Sequence, residues 1–222
     1  MPTVASLLLV LALPAPALDA APAVTPFQAV ADPVLHWTTA PEGNEARYRV
    51  REQLARFDFP NDAVGVTPEV RGQLTFTPDG RVDGSASEFV IGLAALESDS
   101  DRRDNFLRRN TLATDTHPDA RFQPREIRGL DLPAMLEVAA ANGGGVMEVE
   151  FEMVGDMTVR EATRQVVWTV RAELGEGAVR GQARTAFTFG DFDLEIPSVG
   201  SVLSINDDIR LEFDFHLVPA GD

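Results

Sequence analysis

Between Gly145 and Leu174 the chain alternates apolar and polar residues in two successive runs. Met147, Val149, Phe151 and Met153 stand against Glu148, Glu150 and Glu152; Val166, Trp168, Val170 and Ala172 stand against Gln165, Thr169 and Arg171. Side chains of an extended strand point to opposite faces in turn, so period two over this length specifies strands with one wet and one dry face. Parallel strands covered on both sides would be apolar throughout, which argues against an α/β fold.

The same pattern recurs along most of the chain. Ala46, Tyr48 and Val50 alternate with Arg47, Arg49 and Arg51, Phe57 and Phe59 flank Asp58, and Val70, Leu74 and Phe76 oppose Arg71, Gln73 and Thr75. Phe89, Ile91 and Leu93 continue it, as do Phe187 and Phe189, and Leu211, Phe213, Phe215 and Leu217 against Glu212, Asp214 and His216. Seven to nine half-buried antiparallel strands require two packed sheets or a closed barrel, because one open sheet would leave its apolar face in water. The expected inner face holds Leu74, Phe76, Phe89, Ile91, Phe151 and Met153, then Trp168, Val170, Phe187, Phe213 and Phe215. A small barrel is either filled by such side chains or holds one small ligand, and periodicity does not choose. A slip of one residue would invert every face. The register therefore predicts Phe151, Phe189, Phe213 and Phe215 buried, and Glu150, Glu212 and Asp214 exposed.

The 222 residues suit one domain behind a leader, large enough to fold without staples, and there is no cysteine. Residues Met1 to Ala23 carry an apolar run from Val4 to Leu13 and then Ala15-Pro16-Ala17 and Ala21-Pro22-Ala23. This reads as a secretory signal peptide, although no basic side chain precedes the run. The run is too short to span a bilayer as a helix. Residues 24–43, rich in proline, read as a linker, and the domain is expected over 44–222. Asp79-Gly80 and Gly175 to Gly177 are turn signals, and Pro133 opens an expected short helix over Leu132 to Asn142. The net charge is −16 and all 19 basic residues are arginine. Such a surface repels phosphate backbones and anionic bilayers, so neither nucleic acid nor stable membrane insertion is expected.

Three segments resemble the YceI-like family. The first is GDMTVREATRQ, residues 155–165, which resembles the family's glycine-led turn between two long strands. The second is Glu97 to Phe122, with Arg103-Asp104, Leu107-Arg108, and Pro118 ahead of a strand at Ala120 to Phe122. Here Ser100 or Asp101 would cap a helix stapled by an Asp104 to Arg108 pair, and this helix is expected to close one mouth or corner of the barrel. The third runs from Phe189 to Leu217, as a strand, a loop with a helical turn, and a last strand after Asn206-Asp207-Asp208. The chain departs from the family's pattern in the inserted Leu132 to Gly145 and in Thr111-Leu112, where members have an aromatic pair. The resemblance implies an all-β, antiparallel, lipocalin-like barrel of about eight strands with one or two short helices. It further implies a periplasmic or secreted bacterial protein that binds a polyisoprenoid lipid, of quinone or polyprenyl type, on the inner-face residues named above. No cofactor is implied, and homodimer formation stays open.

No pattern in the chain specifies catalysis. Asp99, Asp101 and Asp104 lack the glycine and terminal glutamate of a calcium loop and read as a helix-capping turn. His36, His117 and His216 are scattered, without metal-ligand spacing, and His216 belongs to the polar face of the last strand. Ser198 and Ser201 have no nucleophile elbow, and Asp191, Asp193 and Glu195 read as a solvated strand face. Arg102, Arg103, Arg108 and Arg109 could donate to a polar head group at a barrel mouth, or pair with the neighbouring aspartates. A lipid carrier is the leading function. The alternatives are a non-binding structural or stress-response barrel subunit and, behind it, an enzyme that uses the barrel cavity.

Overall fold

A computed structural model describes residues 35–55, 58–135, 145–175, 177–200 and 202–221. The expected signal peptide, most of the expected linker and residues 136–142 of the expected helix lie outside these residues. The strands, in chain order, are β1 (His36–Thr39), β2 (Glu45–Leu54), β3 (Asn61–Thr67), β4 (Val70–Thr75), β5 (Glu88–Gly92), β6 (Glu97–Ser98), β7 (Asp119–Arg128), β8 (Met147–Val159), β9 (Ala162–Gly175), β10 (Ala178–Phe187) and β11 (Val202–Pro219).

All pairings are antiparallel. Eight strands close a ring in the order β1-β4-β5-β7-β8-β9-β10-β11, and β11 returns to β1 through Trp37 opposite Pro219 and Thr39 opposite Leu217. Closure leaves the ring without an edge. The rest of the β11 edge pairs with β2, which carries β3 and β6 outward. The alternation sets the inner face as expected: on β9, Val166, Trp168, Val170 and Ala172 are buried, while Thr169, Arg171 and Glu173 are exposed.

Several sequence expectations need correction. The domain begins before Asn44, because His36–Thr39, inside the expected linker, is the strand that closes the ring. Four residues between prolines are too few to display a period. Phe57 lies outside the described residues, and Phe59 sits in a bend before β3 with 80% of its surface exposed, since Pro60 cuts the run short. Gly155 does not lead a turn. It lies within β8 opposite Pro124, where a Cβ would come 2.3 Å from the Gln123 carbonyl oxygen and 2.6 Å from the Phe122 ring. The glycine therefore admits a close strand approach, and the actual turn is Arg160-Glu161, with Arg160 at φ +54°.

The C-terminal part differs too. β11 starts at Val202 and passes through Asn206 to Asp208 with a register shift between Ile205 and Ile209, so the acidic triplet is a bulge inside the strand. Phe189 has left β10 for a 3-10 turn, Phe189–Phe192, that buries Phe189 and Phe192. Asp191 is not on a strand face either. It accepts from the Thr188 amide at 2.7 Å and hydroxyl at 2.8 Å in a capping box, which holds its carboxyl below the ordinary value.

The register prediction holds for Phe189 and Phe215, both buried, and for Glu150, which is exposed. Phe151 and Phe213 point inward but are only half-buried. Glu212 and Asp214 point outward but are half-buried as well, because Arg47 spans them, 3.4 Å from Glu212 and 2.6 Å from Asp214.

Candidate functional site

All eleven expected inner-face residues, Leu74 to Phe215, line one cavity that runs through the barrel. On β8 the lining extends from Phe151 to Val159, about 20 Å along the axis for strands rising ~3.3 Å per residue at a ~40° tilt. Its volume is about 260 Å³, against roughly 10–15 Å³ on the same measure for one water site. The wall is almost wholly apolar. Aromatic edges organise it: Phe89 meets Phe213 at 5.8 Å between ring centroids, Phe213 meets Phe215 at 5.7 Å, and Phe122 meets Trp168 at 5.9 Å. Phe151 and Phe213 border this space, which accounts for their incomplete burial.

The helix expected to close one mouth of the barrel does so, while the individual side chains that reach the cavity at the two ends were not named from the sequence. At one end, Ser100 caps an α-helix, α1 (Asp101–Phe106), by accepting from the Arg103 amide. The helix continues as a π-helical turn, Leu107–Thr111, closed by the Leu112 amide on the Leu107 carbonyl at 2.8 Å. Leu107, Thr111 and Leu112 face the cavity. The expected Asp104 to Arg108 pair does not form. Asp104 is buried and accepts from the Ser98 amide (3.0 Å) and hydroxyl (2.6 Å), while Arg108 donates to the Leu96 carbonyl at 2.9 Å. The i, i+4 pair is Asp99 with Arg103, which also binds the buried Glu52 at 2.7 Å.

None of Arg102, Arg103, Arg108 and Arg109 lines the cavity, and Arg102 and Arg109 are exposed. The expected head-group arginines are thus absorbed into the helix anchorage or turned to solvent. The alternative reading, pairing with aspartate, holds for Arg103.

At the opposite end, residues 132–135 form a helical turn. The Asp131 carboxylate caps the Ala134 amide at 3.1 Å and the Asp131 carbonyl takes the Met135 amide at 3.0 Å. Leu130, Leu132 and Met135 close over the cavity, and Pro133 packs where Gly80, at φ +80°, leaves room. The spacing of Leu132 and Met135, three apart on either side of Pro133 at the helix start, was the available signal.

Two polar atoms of the cavity wall are buried without a hydrogen-bond partner, the Tyr48 hydroxyl and the Trp168 indole nitrogen. Burial raises the Tyr48 pKa well above its ordinary 10.0; nearby Arg103 opposes this, while Asp104 and Glu52 add to it. Tyr48 is therefore a hydroxyl donor across the physiological range. His117 pairs with Glu161 at 2.9 Å, His216 Nδ1 contacts the Glu42 carbonyl at 3.1 Å, and His36 is exposed. Among the described residues no group of histidine and carboxylate side chains could hold a metal ion. No helix among them is long and apolar enough to cross a membrane.

The YceI-like domain family matches residues 37–217. Two solved structures share the fold. A polyisoprenoid binding domain from Saccharophagus degradans aligns with a TM-score of 0.59 at 13% identity, over 84% of this chain and 99% of its own. BcnA of Burkholderia cenocepacia aligns with a TM-score of 0.54 at 13% identity, over 78% of this chain and 95% of its own. No curated protein sequence matches the chain.

Proposed function

The chain belongs to the YceI-like family, and on that premise we propose that it is an exported bacterial binding protein holding one long, neutral isoprenoid lipid of quinone or polyprenyl type inside the barrel. The observation that carries this reading is the apolar cavity. Protein interiors are close-packed, with few voids larger than a water molecule. At roughly 24 cal/mol per Å³, a void of 260 Å³ left without partner atoms costs on the order of 6 kcal/mol. That is comparable to the whole stability of a domain, about 5–15 kcal/mol. A guest that restores those contacts removes the cost, and a prenyl chain offers branched methyl groups and double bonds to aromatic and thioether walls such as Phe213 and Met153.

The neutral character follows from the wall: of the charged residues bordering it, Arg47 and Glu212 pair with each other on the outer face, and the remaining polar lining residues, Tyr48, Thr67 and Thr111, carry no charge. An anionic head group buried here would have no free cation to meet. Likeness to a polyisoprenoid binding domain supports the choice of lipid, and the apolar leader supports export. A binding role is supported by the almost wholly apolar lining among the described residues and by the likeness to a polyisoprenoid binding domain.

Organic extraction of protein purified without detergent from its native host, followed by mass spectrometry, tests the reading. It predicts one recurring apolar isoprenoid. Phe213→Asp, which places a charge in the cavity, should fold without lipid, whereas the exposed outer-face change Glu150→Ala should leave the lipid in place. Repeated extraction of no apolar lipid would overturn it.

A further inference from the structure

Both ends of the cavity are stopped, and the wall between them is continuous. Eight strands pair around the ring, with β11 returned to β1, so a guest passing sideways would have to break a ladder of backbone hydrogen bonds. A guest that exchanges therefore enters and leaves through an end, and the two ends differ in what must be broken.

At the α1 end the closure is tied to several parts of the wall. Asp104 takes the Ser98 amide of β6 at 3.0 Å, and Arg103 binds Glu52 of β2 at 2.7 Å. From the β8–β9 turn, Arg160 donates to the Thr111 carbonyl at 3.4 Å and Glu161 meets His117 at 2.9 Å. Opening here would strip the buried carboxylates of Asp104 and Glu52 of their partners, which is the costly way to lose a polar contact.

The 130–135 turn has no such ties. Its hydrogen bonds, from the Ala134 amide to the Asp131 carboxylate and from the Met135 amide to the Asp131 carbonyl, are internal, and among the described residues none joins it to a strand. Its hold on the barrel is apolar: Leu132 and Met135, both buried, lie over the cavity, and Pro133 rests on the β4–β5 connection, where a Cβ at Gly80 would come 2.6 Å from its ring. β7 ends at Arg128, and the joint between it and the turn is Gly129, at φ +81°, with no heavy atom within 4 Å of where its Cβ would stand. Glycine visits φ above and below zero about equally, so this joint can turn without strain or collision.

We propose that residues 130–135 form a hinged lid, turning at Gly129 and seated on Gly80, and that the guest enters and leaves the barrel by this end while the α1 end stays shut. The inference rests on the carrier reading and adds the route to it. Apolar contact has no preferred direction and is regained wherever area is covered, so an incoming hydrocarbon chain can itself cover Leu132 and Met135 during passage. Leu132 also opens the stretch in which this chain departs from the family's pattern.

The chain has no cysteine, so one disulfide can be placed across the lid without competition. The full chain stripped of lipid and carrying Gly80→Cys with Pro133→Cys is compared, oxidised and reduced, with the natural protein for its rate of uptake of diphenylhexatriene, a neutral apolar polyene that fluoresces once out of water. Mass confirms the bridge. Uptake by the bridged form should be at least about tenfold slower than by the reduced form, and the natural protein should be indifferent to oxidant and reductant. A second comparison needs no bridge: Leu132→Ala should speed uptake about tenfold, whereas Arg160→Met, which cuts a tie at the α1 end, should leave the rate unchanged. Equal rates for the bridged and reduced forms, or a rate raised by Arg160→Met and not by Leu132→Ala, would overturn the lid and leave the carrier reading standing. A natural protein that takes up no probe would defeat the carrier reading and the lid with it. If the bridge does not form, the second comparison decides.

Discussion

The two ends of the barrel are stopped by different physics. At the α1 end, the closure is polar and specific: Asp104 takes two hydrogen bonds from Ser98, Arg103 joins Glu52 to Asp99, Arg108 holds the Leu96 carbonyl, and Arg160 reaches the Thr111 carbonyl at 3.4 Å. At the other end, Leu130, Leu132 and Met135 lie over the cavity, and among the described residues no hydrogen bond or ion pair ties 130–135 to a barrel strand. Directional bonds fix one geometry and fail abruptly when a partner is lost. Apolar contact is non-directional, and its strength scales with area. The α1 end is thus the better specified of the two, and the 130–135 end the more yielding.

Breaking the polar closure should produce the largest effect. Arg103→Met leaves Glu52, 5% exposed, with only a 3.5 Å contact from Asn61, and should lower the unfolding free energy by about 3 kcal/mol, read by denaturant titration. Leu132→Ala at the opposite end should cost about 2 kcal/mol, the low end for such truncations because the side chain already borders open space. A larger loss for Leu132→Ala than for Arg103→Met would reverse the comparison. Ser100→Ala, which removes the α1 cap, should cost about 1 kcal/mol, measured the same way.

The smallest effect is expected on the outer face of β3. Burial pushes the Asp62 carboxyl up, but hydrogen bonds from Arg210 and Arg51 outweigh it and hold the group below its ordinary 3.8. A carboxyl with a depressed folded pKa stabilises above its unfolded value and loses that contribution as the pH falls through the folded one. Asp62→Asn should therefore cost about 0.5 kcal/mol at pH 7, and the difference from the natural protein should shrink as the pH falls below the ordinary 3.8 and through the lower folded value. A difference that stays constant as the carboxylates are titrated would remove the assignment.

The inner wall was legible in the sequence because a strand writes its two faces into alternate residues. Phe151, Trp168 and Phe213 could be placed from parity alone. At the ends the helix that closes one mouth was legible, but the side chains that reach the cavity were not, since Leu107, Leu112, Leu130 and Met135 belong to short helical or irregular segments whose facing depends on what the barrel presents to them. Asp104 shows why local pairing rules failed there: its i+4 partner was available, yet the Ser98 amide and hydroxyl could satisfy a buried carboxylate twice. Closure by β1 was hidden for a different reason, as a four-residue strand between prolines carries too little periodicity. Parity also could not say whether the inner face encloses space or fills it, because that depends on strand number and tilt.

Whether the barrel interior is a ligand site is decided by native mass spectrometry of the protein purified from its own host without detergent. A ligand site predicts a species heavier than the polypeptide by one apolar lipid, in a one-to-one ratio, released on collisional activation and missing from Phe213→Asp. A natural protein that flies only at its polypeptide mass, under conditions where a detergent-free lipocalin-type control retains its guest, would contradict it.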